Sequence, residues 1–164
     1  MDFAKAWLWA GRRKLTEKHS LKDRLQRLFE KQRLGVLSTH CQGQPYASLV
    51  AFAATEDLRQ LVFATPRATR KFSNMTADAR AAMLIDSRSN RVSDFRRSVA
   101  ATAVGTVREI RKARNSRLLR LYLEKHPHLH DFVHSPSCAV LRLDVQSYYV
   151  VDRFQHVMEL HLRR

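Results

Sequence analysis

The chain reads as mainly β with α, an antiparallel barrel of six to seven strands with peripheral helices. Short apolar or alternating runs recur along it, separated by polar connectors. No alternation of strand and helix of the kind that builds a parallel sheet is present, and helical patterns are few. Gly and Pro, at four each, are too sparse for long linkers, and no internal repeat stands out. A length of 164 residues is enough for one core and short for two. The predicted organisation is a basic lead-in over residues 1–20 and a single domain over 21–164.

The elements follow in order. The lead-in holds Trp7, Leu8 and Trp9 and is ambiguous, with helical character. Ser20 looks like an N-cap with Asp23 three residues on, and Leu21, Leu25, Leu28 and Phe29 give residues 21–32 one apolar helical face. Gly35 to Cys41 is a strand and Gln42-Gly43-Gln44 its turn; Pro45 opens the next strand, where a missing N–H is tolerated. Residues 46–54 have small or apolar side chains on both faces, which suits a barrel strand with core on one side and a flat ligand on the other. Leu61 to Thr65 is the third strand, 67–77 a helix with Phe72 and Met75 inward, and 81–86 the fourth strand.

A polar loop rich in Arg and Ser, with Asn90, spans 87–98. A long strand over 99–110 runs through Gly105, where a bend or close approach is possible. A helix over 113–125 carries Leu118, Leu121 and Tyr122 and stops near Pro127, and a helical turn follows at 130–133. The final hairpin joins 140–151 to 154–162 across Asp152-Arg153, with Leu141, Leu143 and Val145 alternating against Arg142, Asp144 and Gln146.

Composition narrows the function classes. A hydrophobic content of 45% argues against disorder. The net charge of +15 attracts polyanions and phosphorylated ligands, yet no recognition helix, zinc-finger spacing or aromatic RNA-binding strand accompanies it. Cys41 and Cys138 are far apart and form no Cys-x-x-Cys, so buried reduced thiols are expected. The run Phe3 to Ala10 lacks the basic lead of a signal peptide, and nothing reaches the roughly 18 apolar residues of a membrane span. A cytoplasmic protein is expected. His126, His128, His130 and His134 surround Asp131, but Pro127 breaks any regular helical pairing; surface histidines rather than a metal site are expected. No hydrolase elbow, Walker loop or dinucleotide fingerprint occurs.

One stretch carries chemistry. The hairpin ending at Thr65 leads into Pro66-Arg-Ala-Thr-Arg-Lys71 at a helix head. Helix N-termini favour anions through free N–H groups and the dipole. Thr65 and Thr69 can donate hydroxyls, Arg70 can grip two phosphate oxygens and Lys71 adds a point charge. These residues suit a phosphate monoester; the alternative is a solvated basic helix start that binds nothing.

Gly43-x-Pro45, Phe63-x-Thr65 and Thr69-Arg70-Lys71 recur in this order in a known family, as does Met83-Leu-Ile-Asp86 followed by Arg88-x-Asn90, Asp94-Phe95 and Ala103-Val-Gly105-Thr-Val. The chain thereby resembles the FMN-binding split β-barrel family that includes pyridoxamine 5'-phosphate oxidase, in its small bacterial members. The resemblance covers roughly residues 25–160. It implies a split barrel, a homodimer with flavin at the subunit interface, and a small-molecule redox substrate. It places FMN contacts at Ser48, Leu49, Val50, Ala51 and Phe52 along the ring, at Ala64, Thr65, Thr69, Arg70 and Lys71 at the phosphate, and a supporting contact at Asn90. The oxidase itself has Arg and Lys where Ser48 and Ala53 stand, and its C-terminal Arg-Leu-x-x-Arg signature has no match in Glu159-Leu-His-Leu-Arg163-Arg164. Pyridoxine-phosphate oxidation is therefore not expected, and no catalytic acid or base stands out. The alternatives are a flavin- or haem-binding module without turnover and a basic nucleic-acid-binding barrel.

Overall fold

The computed structural model describes residues 20–113, 116–153 and 156–162. The basic lead-in, with Trp7, Leu8 and Trp9, lies outside the described residues. Helix α1 occupies residues 20–31, so Ser20, expected as its cap, is already helical. Its apolar stripe is buried as the spacing predicts, with Leu25 fully enclosed and Phe29 meeting Phe52 edge-on at 5.7 Å.

Seven strands follow: β1 Leu34–Cys41, β2 Gln44–Ala54, β3 Gln60–Pro66, β4 Arg80–Asp86, β5 Val99–Glu109, β6 Cys138–Asp152 and β7 His156–His161. All pairings are antiparallel and run β3-β2-β1-β4-β5-β6-β7, with a further β3–β6 ladder that closes six strands into a barrel. One edge of β6 serves two partners in succession: residues 138–144 pair with β3 and residues 147–152 with β7. Inward residues alternate along each strand, and Leu37, Phe52, Phe63, Met83, Leu143 and Tyr148 fill the interior. The Tyr148 hydroxyl reaches the Leu58 carbonyl at 2.7 Å, which satisfies the buried phenol.

Four helices surround the barrel besides α1: α2 Arg70–Ala77, α3 Asp94–Arg97, α4 Arg117–Lys125 and α5 His130–His134. A second apolar layer forms where α4 and α5 cover the outer face of β2, β3 and β6 through Leu119, Tyr122, Val133 and Val140. Leu118 and Leu121 pack, partly buried, against this layer beside Tyr122 as the spacing predicts, and Leu119 joins them buried; α4 starts at 117 under a Ser116 cap, later than the predicted 113. The loop predicted over 87–98 contains the single turn α3.

Among the described residues, Gly105 is the glycine whose missing side chain is demanded by a backbone approach. The β5–β6 register shifts between Val104 and Gly105, leaving Gln146 as an extra residue, and a Cβ on Gly105 would collide with the Asp144 carbonyl oxygen. At the β1–β2 turn, Gln42 and Gly43 both take positive φ, as a tight two-residue hairpin requires.

Candidate functional site

The barrel is open at one seam. β2 pairs with β3 only over Phe52–Ala54 against Leu61–Phe63. Beyond that point Ala64, Thr65 and Pro66 pair with Val140, Ala139 and Cys138 of β6, while β2 over residues 44–51 stays paired with β1 alone. Alternate residues of an antiparallel strand turn their N–H and C=O groups to opposite edges. The stretch Ser48 to Ala51 thus presents main-chain donors and acceptors along an edge that no described strand covers. The Ser48 hydroxyl oxygen is buried with no hydrogen-bond partner.

Helix α2 begins beside this seam. It starts at Arg70, three residues later than predicted, because the Thr69 hydroxyl caps it by accepting from the Phe72 amide. Thr69 also donates to the Pro66 carbonyl at 2.8 Å and stands 3.2 Å from the Thr65 hydroxyl, so the two threonines form one polar cluster. Thr65 is buried and Thr69 half-buried. The Arg70 guanidinium lies over the Tyr46 ring, 5.2 Å from its centroid, and Lys71 follows, half-buried. Among the described residues neither Arg70 nor Lys71 meets a carboxylate. Arg67, two residues before the cap, is instead paired with Glu109 and stacked over Phe72.

Asn74 was not singled out by sequence reasoning. It is buried, and its amide donates to the Thr39 hydroxyl at 3.1 Å, which in turn reaches the Tyr46 carbonyl at 3.4 Å. This chain fastens α2 to the β1–β2 hairpin and so fixes where Arg70 and Lys71 stand. Its signal was available: Asn74 sits four residues after Arg70, between the inward Phe72 and Met75.

The structure brings together Thr65, Thr69, Arg70 and Lys71 at one side of the seam, with Ala64 on β3 and Ser48 to Phe52 on β2 flanking it. Asn90 is not among them. Within one chain it stands beyond the far end of β4, whose seven residues separate it from α2 by about 20 Å. There Asn90 takes φ +61°, and the Asp94 carboxylate accepts from the Ser89 and Arg91 amides, tying the loop as an Asx-type knot. Arg88 pairs with Asp86 at 3.3 Å.

The histidine cluster divides. His126, expected at the surface, is buried; its Nε2 is 2.9 Å from the Phe52 carbonyl, and burial lowers its pKa below the ordinary imidazole value. As a neutral ring it donates there. His130 and His134 are exposed, and among the described residues no group of three metal-ligating side chains forms. Cys41 and Cys138 are both free. Among the described residues no helix is long and apolar enough to cross a membrane.

Comparisons with known proteins agree on one architecture. Residues 21–152 match the family described as Pyridoxamine 5'-phosphate oxidase. A heme binding protein from Mycobacterium smegmatis superposes with TM-score 0.70 at 17% identity, covering 82% of this chain and 57% of its own; the chain thus spans little more than half of that relative. A FAD-binding protein from Mesorhizobium loti gives TM-score 0.63 at 17% identity, covering 77% of this chain and 89% of its own. General Stress Protein 26 from Bacillus anthracis gives 0.61 at 20%, covering 87% and 98%. At such identities the likeness is one of fold. A search of curated proteins finds no match.

Proposed function

This chain belongs to the pyridoxamine 5'-phosphate oxidase family, and from that premise we propose that it is an FMN-binding oxidoreductase-like protein acting on a small molecule. The observation that carries the reading is the juxtaposition at the seam: two cations without carboxylate partners at a capped helix start, beside a strand edge with unpaired main-chain groups. A phosphate monoester and a flat ring with polar edges need those two features together. Arg70 and Lys71 hold the phosphate, and the Thr65 and Thr69 hydroxyls redirect toward it. The Ser48 to Ala51 main chain meets the ring edge, while Phe52 is already engaged, its amide donating to the Arg33 carbonyl and its carbonyl accepting from His126. The orphaned Ser48 hydroxyl gains a partner at the ring.

Bound flavin supplies hydride chemistry, while the protein supplies position and field. Ser48 and Ala53 bring no charge to the ring, so its potential is set by neutral main-chain dipoles and by the basic surface. A second copy of the chain covers the exposed side, seated on an apolar outer sheet face, and Asn90 of the loop beyond β4 approaches the ring only across that interface.

The test is direct. Wild-type protein is expected to retain or take up FMN, seen as the yellow absorbance of an oxidised flavin. Replacing Arg70 and Lys71 together by Ala is expected to cost roughly 1.5–3 kcal/mol of affinity per charge-assisted contact, with unchanged circular dichroism. A double variant that stays yellow overturns the clamp; wild type that never binds FMN, or that carries a Soret band, overturns the cofactor.

A further inference from the structure

A second cleft lies at the β2–β3 turn, at the opposite end of β3 from Thr65, and owes nothing to the flavin reading. Its volume is about 560 Å³, and an apolar wall of Phe29, Ala54, Leu58 and Leu121 faces a polar rim of Gln26, Thr55 and Glu56. One basic side chain enters it, Lys125 at the last turn of α4. The Lys125 amine donates to the Phe29 carbonyl at 2.6 Å and lies 4.1 Å from the centre of the Phe52 ring. Among the described residues no carboxylate pairs with it. The lysine is held by one carbonyl and one ring where it lines the cleft.

The surroundings bear on its protonation. α1 contributes Glu30 and the residue that follows it into β1, Arg33; the β2–β3 turn contributes Glu56; and α4 ends on the buried, neutral His126. Burial first, then the Arg33 charge, push the amine down to about 8, against a smaller opposing pull from Glu30. That shift enlarges the share of free base near neutrality, the form that attacks carbonyl carbon. Glu30 and Glu56 line the same cleft and disfavour an anionic guest.

We propose that this cleft is a carbonyl site, in which Lys125 condenses with the aldehyde of a neutral molecule bearing an apolar tail. The amine nitrogen attacks the carbonyl carbon, the carbon–oxygen bond breaks, and both amine protons leave on that oxygen as water. The product is an imine, formed with no net transfer of electrons. The apolar part of the wall receives the tail.

Hexanal and sodium cyanoborohydride, which reduces an imine to a stable amine, test this on the full chain with peptide mapping by mass spectrometry. Lys125 is expected to be labelled roughly tenfold or more faster than Lys22 or Lys31 near neutral pH. Hexanal should outpace acetaldehyde at Lys125 and not at Lys31. Lys125→Met should remove the dominant adduct while Lys22 and Lys31 label as before, and Leu121→Trp, which fills the cleft, should slow labelling of an intact Lys125. Equal rates at the three lysines, indifference to aldehyde length, or a Lys125 preference that survives unfolding in urea would each overturn the site.

Discussion

At the scale of single residues, two positions are fixed by contacts that leave no freedom. Gly105 lies against the Asp144 carbonyl at the bulge, so any side chain there must push two strands apart. Gly105→Ala is expected to cost about 3 kcal/mol, read as a lower urea midpoint, while Gly43→Ala, with open space around it, costs only the strain of its positive φ. His126 is the second. Its folded-state pKa lies below 6.5, so its contribution is present above 6.5 and is lost as pH falls through that value toward the folded one. His126→Gln keeps a donor for Phe52 and removes the titration; it should flatten the fall in thermal stability between about pH 7 and pH 5. Sequence reasoning found Gly105 because a lone glycine in a strand is a local signal. It placed His126 at the surface because the partner that buries it, Phe52, is 74 residues away. The trio Thr69, Arg70 and Lys71 was legible for the same local reason: a strand end, a cap and a helix start are adjacent in sequence.

At the scale of elements, attachment matters more than propensity. α2 begins where Thr69 caps it, and the preceding Arg67 is drawn off to Glu109, which is why the helix is shorter than its pattern suggests. α1 and the β6–β7 hairpin are joined through Asp152, which receives both Arg24 and, at 2.8 Å, His156. Burial alone would raise the Asp152 pKa, but the hydrogen bonds from Arg24 and His156 outweigh it and the net shift is downward. A depressed carboxylate value gives stability present above 3.8 and lost as pH falls below it. Asp152→Asn should therefore destabilise by about 1–3 kcal/mol at neutral pH, and the gap from wild type should narrow in acid denaturation toward pH 3 or so. The Arg24 arm of this bridge could not be read from the sequence, since Arg24 and Asp152 lie 128 residues apart.

At the scale of the whole molecule, the barrel is closed on its inside and apolar over part of its outside. The strand registers align Leu49, Val36, Leu84, Thr102 and Tyr149 in one row across five strands on the outer face. Leu49 is 65% exposed, Val157 59% and Leu34 53%, an apolar surface that a soluble monomer rarely presents. We predict a two-fold dimer on this face, with Leu34→Arg and Leu49→Arg together giving monomers in sedimentation. Wild type that sediments as a monomer would refute it. The barrel class was legible from strand count and the lack of parallel-sheet rhythm. Its seam was not, because which strand a given edge meets depends on closure through β6, far along the chain.

That seam has a second side. A rail of amide and carbonyl groups that no described strand covers, beside an apolar surface, is where an unrelated extended polypeptide can zip onto the barrel. Protein without added FMN should cloud on warming sooner than protein with saturating FMN, as light scattering would record. A small molecule in that groove would then guard shelf life as well as chemistry.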